Sequence, residues 1–312
     1  MEKISAINNI INGFVWGPYM LVLLIGTGVY MSIRTYFFQV KNFNIWAKLT
    51  YGSMFDKHEK GHNITPFQAV SVALASTIGI GSIAGIATAI VSGGPGALFW
   101  MVVSAFFGMM TKFSEVVLSV YFREKDEKGI HYGGPMYYIE KGLKQKWLSI
   151  LFAIFASIAT FGAGNMTQSN AIAGLLRQTL KLPEYVSGII VAIIVALVLI
   201  GGIKRISSVS EKLVPFMATI YFIASIIILI INFKNIPQAI KLIVSEAFSL
   251  KSAASGITGY AIFIAMRYGI ARGVFSNEAG LGTAPIAHTA SNTNNPIKQG
   301  MWGIFEVFNT LI

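Results

Sequence analysis

Residues 65–91 form an apolar stretch long enough to cross a lipid bilayer, yet its middle reads Ala75-Ser76-Thr77-Ile78-Gly79-Ile80-Gly81-Ser82-Ile83-Ala84-Gly85. A membrane crossing takes roughly 20 residues at about 1.5 Å of rise each. Each glycine weakens a helix by about 1 kcal/mol relative to alanine, so the pattern predicts a helix interrupted at mid-depth. Lipid offers no partner to the peptide groups that an interruption frees. Such backbone persists where it lines a protein cavity and meets a ligand or an ion. The stretch therefore predicts a transport site. The competing explanation is close helix packing of the small-xxx-small kind, which Gly81 and Gly85 satisfy by themselves.

The rest of the chain agrees with a membrane setting. Hydrophobic residues make up 54% of it and charged residues 12%, too few polar side chains to cover a soluble surface. Apolar runs fall near 14–33, 66–91, 96–121, 147–175, 186–202, 213–232, 254–274 and 298–312. These predict an all-α polytopic membrane protein with seven complete spans and an eighth cut by the end of the chain. The formal charge of +11 is concentrated in alternate loops: Arg34 to Lys60, Arg123 to Lys146, and Lys204 to Lys212. By the positive-inside bias those loops are cytoplasmic, which places the amino terminus outside. Nucleic acid is not the expected partner of such a distribution; the lipid bilayer is.

No cysteine is present, so neither a disulfide frame nor a thiolate metal site is expected. The histidines, His58, His62, His131 and His288, fall in predicted loops or at a span end without ligand spacing. They read as solvated surface groups. Enzyme signatures are missing: there is no His-Glu-x-x-His, no phosphate loop and no Gly-x-Ser-x-Gly elbow. No organic cofactor and no obligate protein partner is expected.

Five spans after the first interruption comes another. The pattern is helical over residues 257–272, and Gly273-Val274-Phe275-Ser276-Asn277-Glu278-Ala279-Gly280-Leu281-Gly282 breaks it. An offset of five spans, an odd number, sets the two broken helices in opposite directions, the mark of inverted-repeat secondary transporters. Ser76, Thr77 and Ser82 flank the first break and add hydroxyl acceptors suited to a small hard cation. Asn165 and Gln168, one helical turn apart in the polar run of residues 161–170, share a face. They either reach the same cavity or hydrogen-bond neighbouring helices. Lys112 and Glu115, three apart near a cytoplasmic span end, read as an interfacial ion pair with Lys112 snorkelling in preference to a proton relay. Arg267, Arg272 and Glu278 straddle the second break as gating ion pairs or as a structural network.

Gly93-Gly94-Pro95-Gly96-Ala97-Leu98-Phe99-Trp100-Met101 followed by Phe106-Phe107-Gly108 resembles the signature of the alanine or glycine:cation symporter family. The resemblance continues through Phe14-Val15-Trp16-Gly17-Pro18, Gly133-Gly134-Pro135-Met136-Tyr137-Tyr138, Gly164-Asn165-Met166, Gly201-Gly202-Ile203-Lys204 and Arg272 to Gly282. It implies a leucine-transporter-type fold of two inverted five-helix repeats behind one extra amino-terminal helix. The extra helix would be 14–33, the first repeat 66–232, and the start of the second 254–312, giving about eight of eleven spans in one transporter domain. The implied function is sodium-coupled import of alanine or glycine across the cell membrane by alternating access, with sodium as the coupling ion. The alternative is a non-transporting membrane fragment of such a symporter. The resemblance further implies that Thr77, Gly79 and Gly81 present backbone to the amino acid, that Gln168 hydrogen-bonds it, and that Phe275 closes over its small side chain. The carbonyls of Ala75 and Ile78 would contribute to a sodium site. Ser82 departs from the family, which usually carries asparagine there.

Overall fold

The computed structural model describes residues 2–54, 63–248 and 258–311. In chain order the elements are α1 (Glu2–Val15), α2 (Pro18–Arg34), α3 (Phe38–Lys41), α4 (Phe43–Gly52), α5 (Pro66–Thr77), α6 (Ile80–Gly93) and α7 (Gly96–Tyr121). A two-stranded antiparallel ribbon follows, β1 (Glu124–Lys125) and β2 (His131–Tyr132). Then come α8 (Pro135–Gly142), α9 (Lys146–Ala159), a π-helical segment (Thr160–Met166), α10 (Thr167–Leu180), α11 (Glu184–Leu199) and α12 (Gly202–Ile231). The chain continues through a 3-10 turn (Phe233–Asn235), α13 (Ile236–Ala247), α14 (Thr258–Asn277), α15 (Thr283–Thr289) and α16 (Pro296–Leu311).

Five helical runs among the described residues are long and apolar enough to cross a membrane: Ala6–Arg34, Pro66–Gly93, Gly96–Tyr121, Lys146–Leu180 and Gly202–Ile231. Glu184–Leu199 is apolar but shorter. The two last expected spans are helical, as α14 and α16, yet they carry Arg267, Arg272, Lys298 and Glu306 and are not among the five. The multi-pass, all-α character of the expectation thus stands.

Helix α7 is the axis of the packing, with α2, α14, α15 and α16 against it. In lipid there is no hydrophobic force between helices, so close approach of backbones and dispersion contacts hold the bundle. Glycines make that approach. A Cβ placed on Gly269 of α14 would lie 2.4 Å from the Ala97 carbonyl oxygen, and one on Gly28 of α2 would lie 2.6 Å from that of Phe107. On α16, Gly300 and Gly303 meet Phe113, Val117, Lys112 and Val116 of α7 in the same way. The main core gathers Trp46, Met110, Trp302, Ile304 and Val307, all essentially shielded from solvent. Trp46 Nε1 donates to the Gln39 carbonyl at 2.9 Å, which seats α4 beside this core.

Helix α5 begins with a complete capping box. Thr65 Oγ1 accepts from the Gln68 amide at 3.1 Å, and Gln68 Oε1 accepts from the Thr65 amide at 3.0 Å. Pro66 holds the first helical position, where a missing N–H costs nothing. These contacts fix where the first discontinuous helix starts, and so where its break falls.

Candidate functional site

The first break is where the glycines put it. Helix α5 ends at Thr77, Ile78 and Gly79 leave helical geometry (φ −86°, ψ 73° and φ −147°, ψ −150°), and α6 resumes at Ile80. Among the described residues, the amides of Gly79 and Gly81 donate to no backbone carbonyl, and the carbonyls of Ala75 and Ile78 accept from no backbone amide. These are the free dipoles of an interrupted helix, donors at the start of α6 and acceptors at the end of α5. The freed Thr77 carbonyl is taken by the Ser82 hydroxyl at 2.7 Å. The Thr77 hydroxyl points back along its own helix, 3.4 Å from the carbonyls of Ala73 and Leu74.

The second break is shorter than the sequence pattern predicts. Helix α14 runs through Gly273 to Asn277, and only residues 278–282 unwind before α15. Gly273 stays helical because it is a packing glycine: a Cβ there would sit 3.1 Å from Ser104 Oγ and 3.4 Å from the Met101 carbonyl of α7. Glu278, Gly280 and Gly282 take positive φ values of 52°, 91° and 77°. Glycine adopts these freely; Glu278 does so with its amide bonded to the Val274 carbonyl at 2.7 Å and its carboxylate accepting from Thr283 Oγ1. The Gly280 amide donates to Glu115 Oε2 at 3.1 Å, so a carboxylate from α7 fills the concavity of N–H groups that alternating backbone creates.

Four of the expected binding residues converge. A Cβ on Gly79 would stand 3.6 Å from Gln168 Oε1 and 3.7 Å from Nε2, so the Gln168 carboxamide faces the first break. A Cβ on Gly81 would stand 3.3 Å from two carbons of the Phe275 ring. Ser82 Oγ lies 2.8 Å from Ser276 Oγ, tying α6 to α14. Gln168 is the second residue of α10, directly after the π-helical segment; a wider turn of this kind reorients the side chains that follow it. Asn165, inside that segment, is exposed, whereas Gln168 is partly buried.

Arg272 lies over Phe275, 6.0 Å from ring centroid to guanidinium carbon, at the outer reach of a cation–π contact. No salt bridge joins Arg267, Arg272 and Glu278 among the described residues. Lys112 corrects the expectation of an interfacial pair. It is fully buried, and Lys112 Nζ bonds Glu306 Oε1 at 3.1 Å rather than Glu115. Glu306 Oε2 lies 3.2 Å from His288 Nε2, and His288 Nδ1 lies 2.7 Å from Gln299 Nε2, all with buried side chains. The surface reading of the histidines fails for His288 and for His131, 5% exposed; His58 and His62 lie outside the described residues. Nothing in the local sequence signals this network, since Lys112 and Glu306 are 194 positions apart.

At the end of the bundle that carries Arg123 and the β1–β2 ribbon, a clasp joins the two broken helices. The Ile64 amide donates to the Ala290 carbonyl at 3.1 Å, and the Asn292 amide to the Ile64 carbonyl at 2.8 Å. Arg123, at the end of α7, donates to the carbonyls of Thr289, Ser291 and Thr293 at 3.3, 2.8 and 2.6 Å. His131 Nδ1 donates to the Ser291 carbonyl at 2.9 Å. Burial pushes the His131 imidazole below its ordinary pKa; the Ser291 contact opposes that shift, and Arg123 and Lys125 reinforce it.

Two helices unwound where polar side chains and an aromatic ring meet them, within a multi-pass bundle, define a membrane transport protein. The chain belongs to the sodium:alanine symporter family, whose model matches residues 1–312. That family comprises transporters, not enzymes. Among relatives, the sodium/alanine symporter AgcS of Methanococcus maripaludis is 45% identical over 96% of this chain and 66% of its own length. An uncharacterized transporter of Haemophilus influenzae is 44% identical over 96% of this chain and 65% of its own. The probable sodium/glutamine symporter GlnT of Bacillus subtilis is 34% identical over 100% of this chain and 64% of its own. The chain thus spans about 65% of the length of the curated relatives it matches.

Proposed function

We propose that the protein acts in sodium-coupled import of a small neutral amino acid, alanine or glycine, across the cell membrane by alternating access around the paired breaks. The observation that carries this is the meeting of Gly79, Gly81, Gln168 and Phe275. The free amides at the start of α6 suit a substrate carboxylate, the Gln168 carboxamide suits either end of a zwitterion, and the Phe275 ring against Gly81 leaves space for a short side chain only. The open carbonyls of Ala75 and Ile78 suit sodium, a hard cation that takes oxygen ligands. Coupling follows because ion and amino acid each stabilise the same arrangement of the breaks, so each raises the affinity for the other.

The relatives' names include both alanine and glutamine carriers. The close approach of Phe275 to Gly81 favours the smaller substrate here. This reading carries with it a leucine-transporter-type inverted-repeat arrangement, with 14–33 outside the repeats and the amino terminus on the outer face. The test is radiolabelled alanine, glycine and glutamine uptake into liposomes containing the purified protein, with and without an inward sodium gradient. Saturable alanine or glycine uptake that depends on the gradient supports the reading. Uptake indifferent to sodium, or glutamine preferred over alanine, overturns it.

A further inference from the structure

Every amide of the second break has an acceptor, whereas Gly79 and Gly81 at the first have none on the described backbone. Within residues 278–282, Glu278 donates to the Val274 carbonyl at 2.7 Å and Leu281 to the Glu278 carbonyl at 3.3 Å. Ala279 donates to the Asn277 side-chain oxygen at 2.9 Å. The remaining two amides, of Gly280 and Gly282, turn to one group outside the segment, the Glu115 carboxylate of α7, whose Oε2 accepts from Gly280 at 3.1 Å. Positive φ at Glu278, Gly280 and Gly282 shapes this stretch into the kind of concavity, lined by N–H groups, in which proteins hold anions.

Glu115 thus takes the place of a bound anion, with the difference that a long helix carries it. Gly280 is also packed on α2, where Leu24 Cδ2 stands 2.7 Å from the position a Cβ would occupy. Without the carboxylate, two amides of the concavity lose their acceptor. The ready way to satisfy them is to wind the segment back onto carbonyls at the end of α14. Such winding turns the last residues of α14, among them Phe275 and Ser276. Those two face Gly81 and Ser82 of α6. Glu115 therefore acts on the candidate site through the backbone of the second break.

We propose that Glu115 is a positioning residue, a tethered anion that keeps residues 278–282 unwound, and that cutting it back opens at Gly280 and Gly282 a binding site for a small free carboxylate. Gly280 is exposed and Glu115 only partly buried, which gives such an ion a way in. Thr111, one turn earlier on α7, brings its methyl carbon to 3.9 Å from the Cβ position of Gly280. Its hydroxyl is buried without a partner and adds a donor nearby. The consequence for uptake rests on the function proposed above; the anion site does not.

The probe is formate, with sodium chloride of equal ionic strength as the control. Formate should raise the thermal midpoint of purified Glu115→Ala saturably, as a ligand of the folded state does. It should leave the unaltered protein and Glu115→Gln unmoved, because in both a side chain fills the concavity. In liposomes, Glu115→Ala should need about tenfold more alanine for half-maximal uptake, the scale of a lost charge-assisted hydrogen bond, with the maximal rate less affected. Formate should restore most of that loss. Glu115→Gln keeps one acceptor oxygen but sets an NH2 against the second amide, and should show part of the rise. A midpoint of Glu115→Ala that formate does not raise above the chloride control overturns the anion site, whatever solute the protein carries. Half-saturation unchanged in Glu115→Gln overturns the positioning role, even if Glu115→Ala yields no folded protein, and so does a loss in Glu115→Ala that formate leaves in place.

Discussion

Ser82 Oγ and Ser276 Oγ lie 2.8 Å apart, one hydroxyl from each discontinuous helix, and the Ser82 hydroxyl also bonds the carbonyl that the first break sets free. One side chain thus closes the backbone deficit of α5 and holds α6 against α14. Ser82→Ala removes both contacts, at a cost of about 1–3 kcal/mol for a buried acceptor left bare. We expect the alanine concentration for half-maximal uptake to rise about tenfold, equivalent to about 1.4 kcal/mol, with Ser82→Thr restoring most of the loss. Uptake kinetics unchanged in Ser82→Ala would show that this hydroxyl does not shape the site.

Gly79 and Gly81 respond differently to added bulk. A Cβ on Gly79 meets the Gln168 carboxamide at an ordinary contact distance, whereas one on Gly81 presses on the Phe275 ring at 3.3 Å. Gly79→Leu drives its side chain into the space between α6 and Gln168 and should abolish sodium-dependent uptake while insertion into the membrane continues. Gly81→Ala needs only a few tenths of an ångström from a ring that can tilt, and should lower substrate affinity modestly. Equal loss in both variants would argue for general misfolding.

The clasp at Arg123 can be followed with a thiol reagent, because the chain has no native cysteine to interfere. With Thr77→Cys as the reporter, Arg123→Ala should raise the rate of labelling from the face that carries Arg123 about tenfold or more, since three carbonyl contacts are lost and each charged hydrogen bond contributes about 1.5–3 kcal/mol. Arg123→Lys keeps the charge but not the fork that reaches Thr289, Ser291 and Thr293 together, and should fall between. Identical labelling in all three would remove the clasp from any role in access.

Acid should loosen the same clasp through His131. Its folded-state pKa is depressed, chiefly by burial, so the stabilisation it represents is fully present above the unfolded value of about 6.5 and is lost as pH falls through the folded value. A proton on His131 has only Nε2 to occupy, which is buried without a partner beside Arg123. The thermal midpoint should fall between about pH 7.5 and pH 5.5, and His131→Gln should remove part of that fall.

Gly269 tests the packing of α14 on α7. The Ala97 carbonyl oxygen stands 2.4 Å from the place a Cβ would occupy, and a backbone atom cannot turn aside as a side chain can. Gly269→Val should lower the yield of folded protein and its thermal midpoint far more than Gly26→Val on α2, where nothing lies within 4 Å.

Both breaks were legible in the sequence because clustered glycines and small polar residues in an apolar run have few other uses. The start of the second was not, since Gly273 signals unwinding or close approach equally well, and Ser104 on α7 decides it. Gln168 was legible as a polar residue out of place in a span; the π-helical segment before it was not, because it shifts the phase that a 3.6-residue period assumes. The ion network escaped for a different reason. Spacing along one helix suggested Lys112 with Glu115, but the fold supplies Lys112 with Glu306 from α16, and no local pattern carries information about a residue so distant in the chain. His288 looked like a loop histidine because α15 is only seven residues long.

The two-bond ladder at Ile64 makes the lead-in to α5 and the tail of α15 a single strut. Neither half-helix can swing by itself while that strut is intact. A gap opened on that face would therefore widen on both flanks at once, and a solute passing there would meet a door with two leaves hung on one hinge.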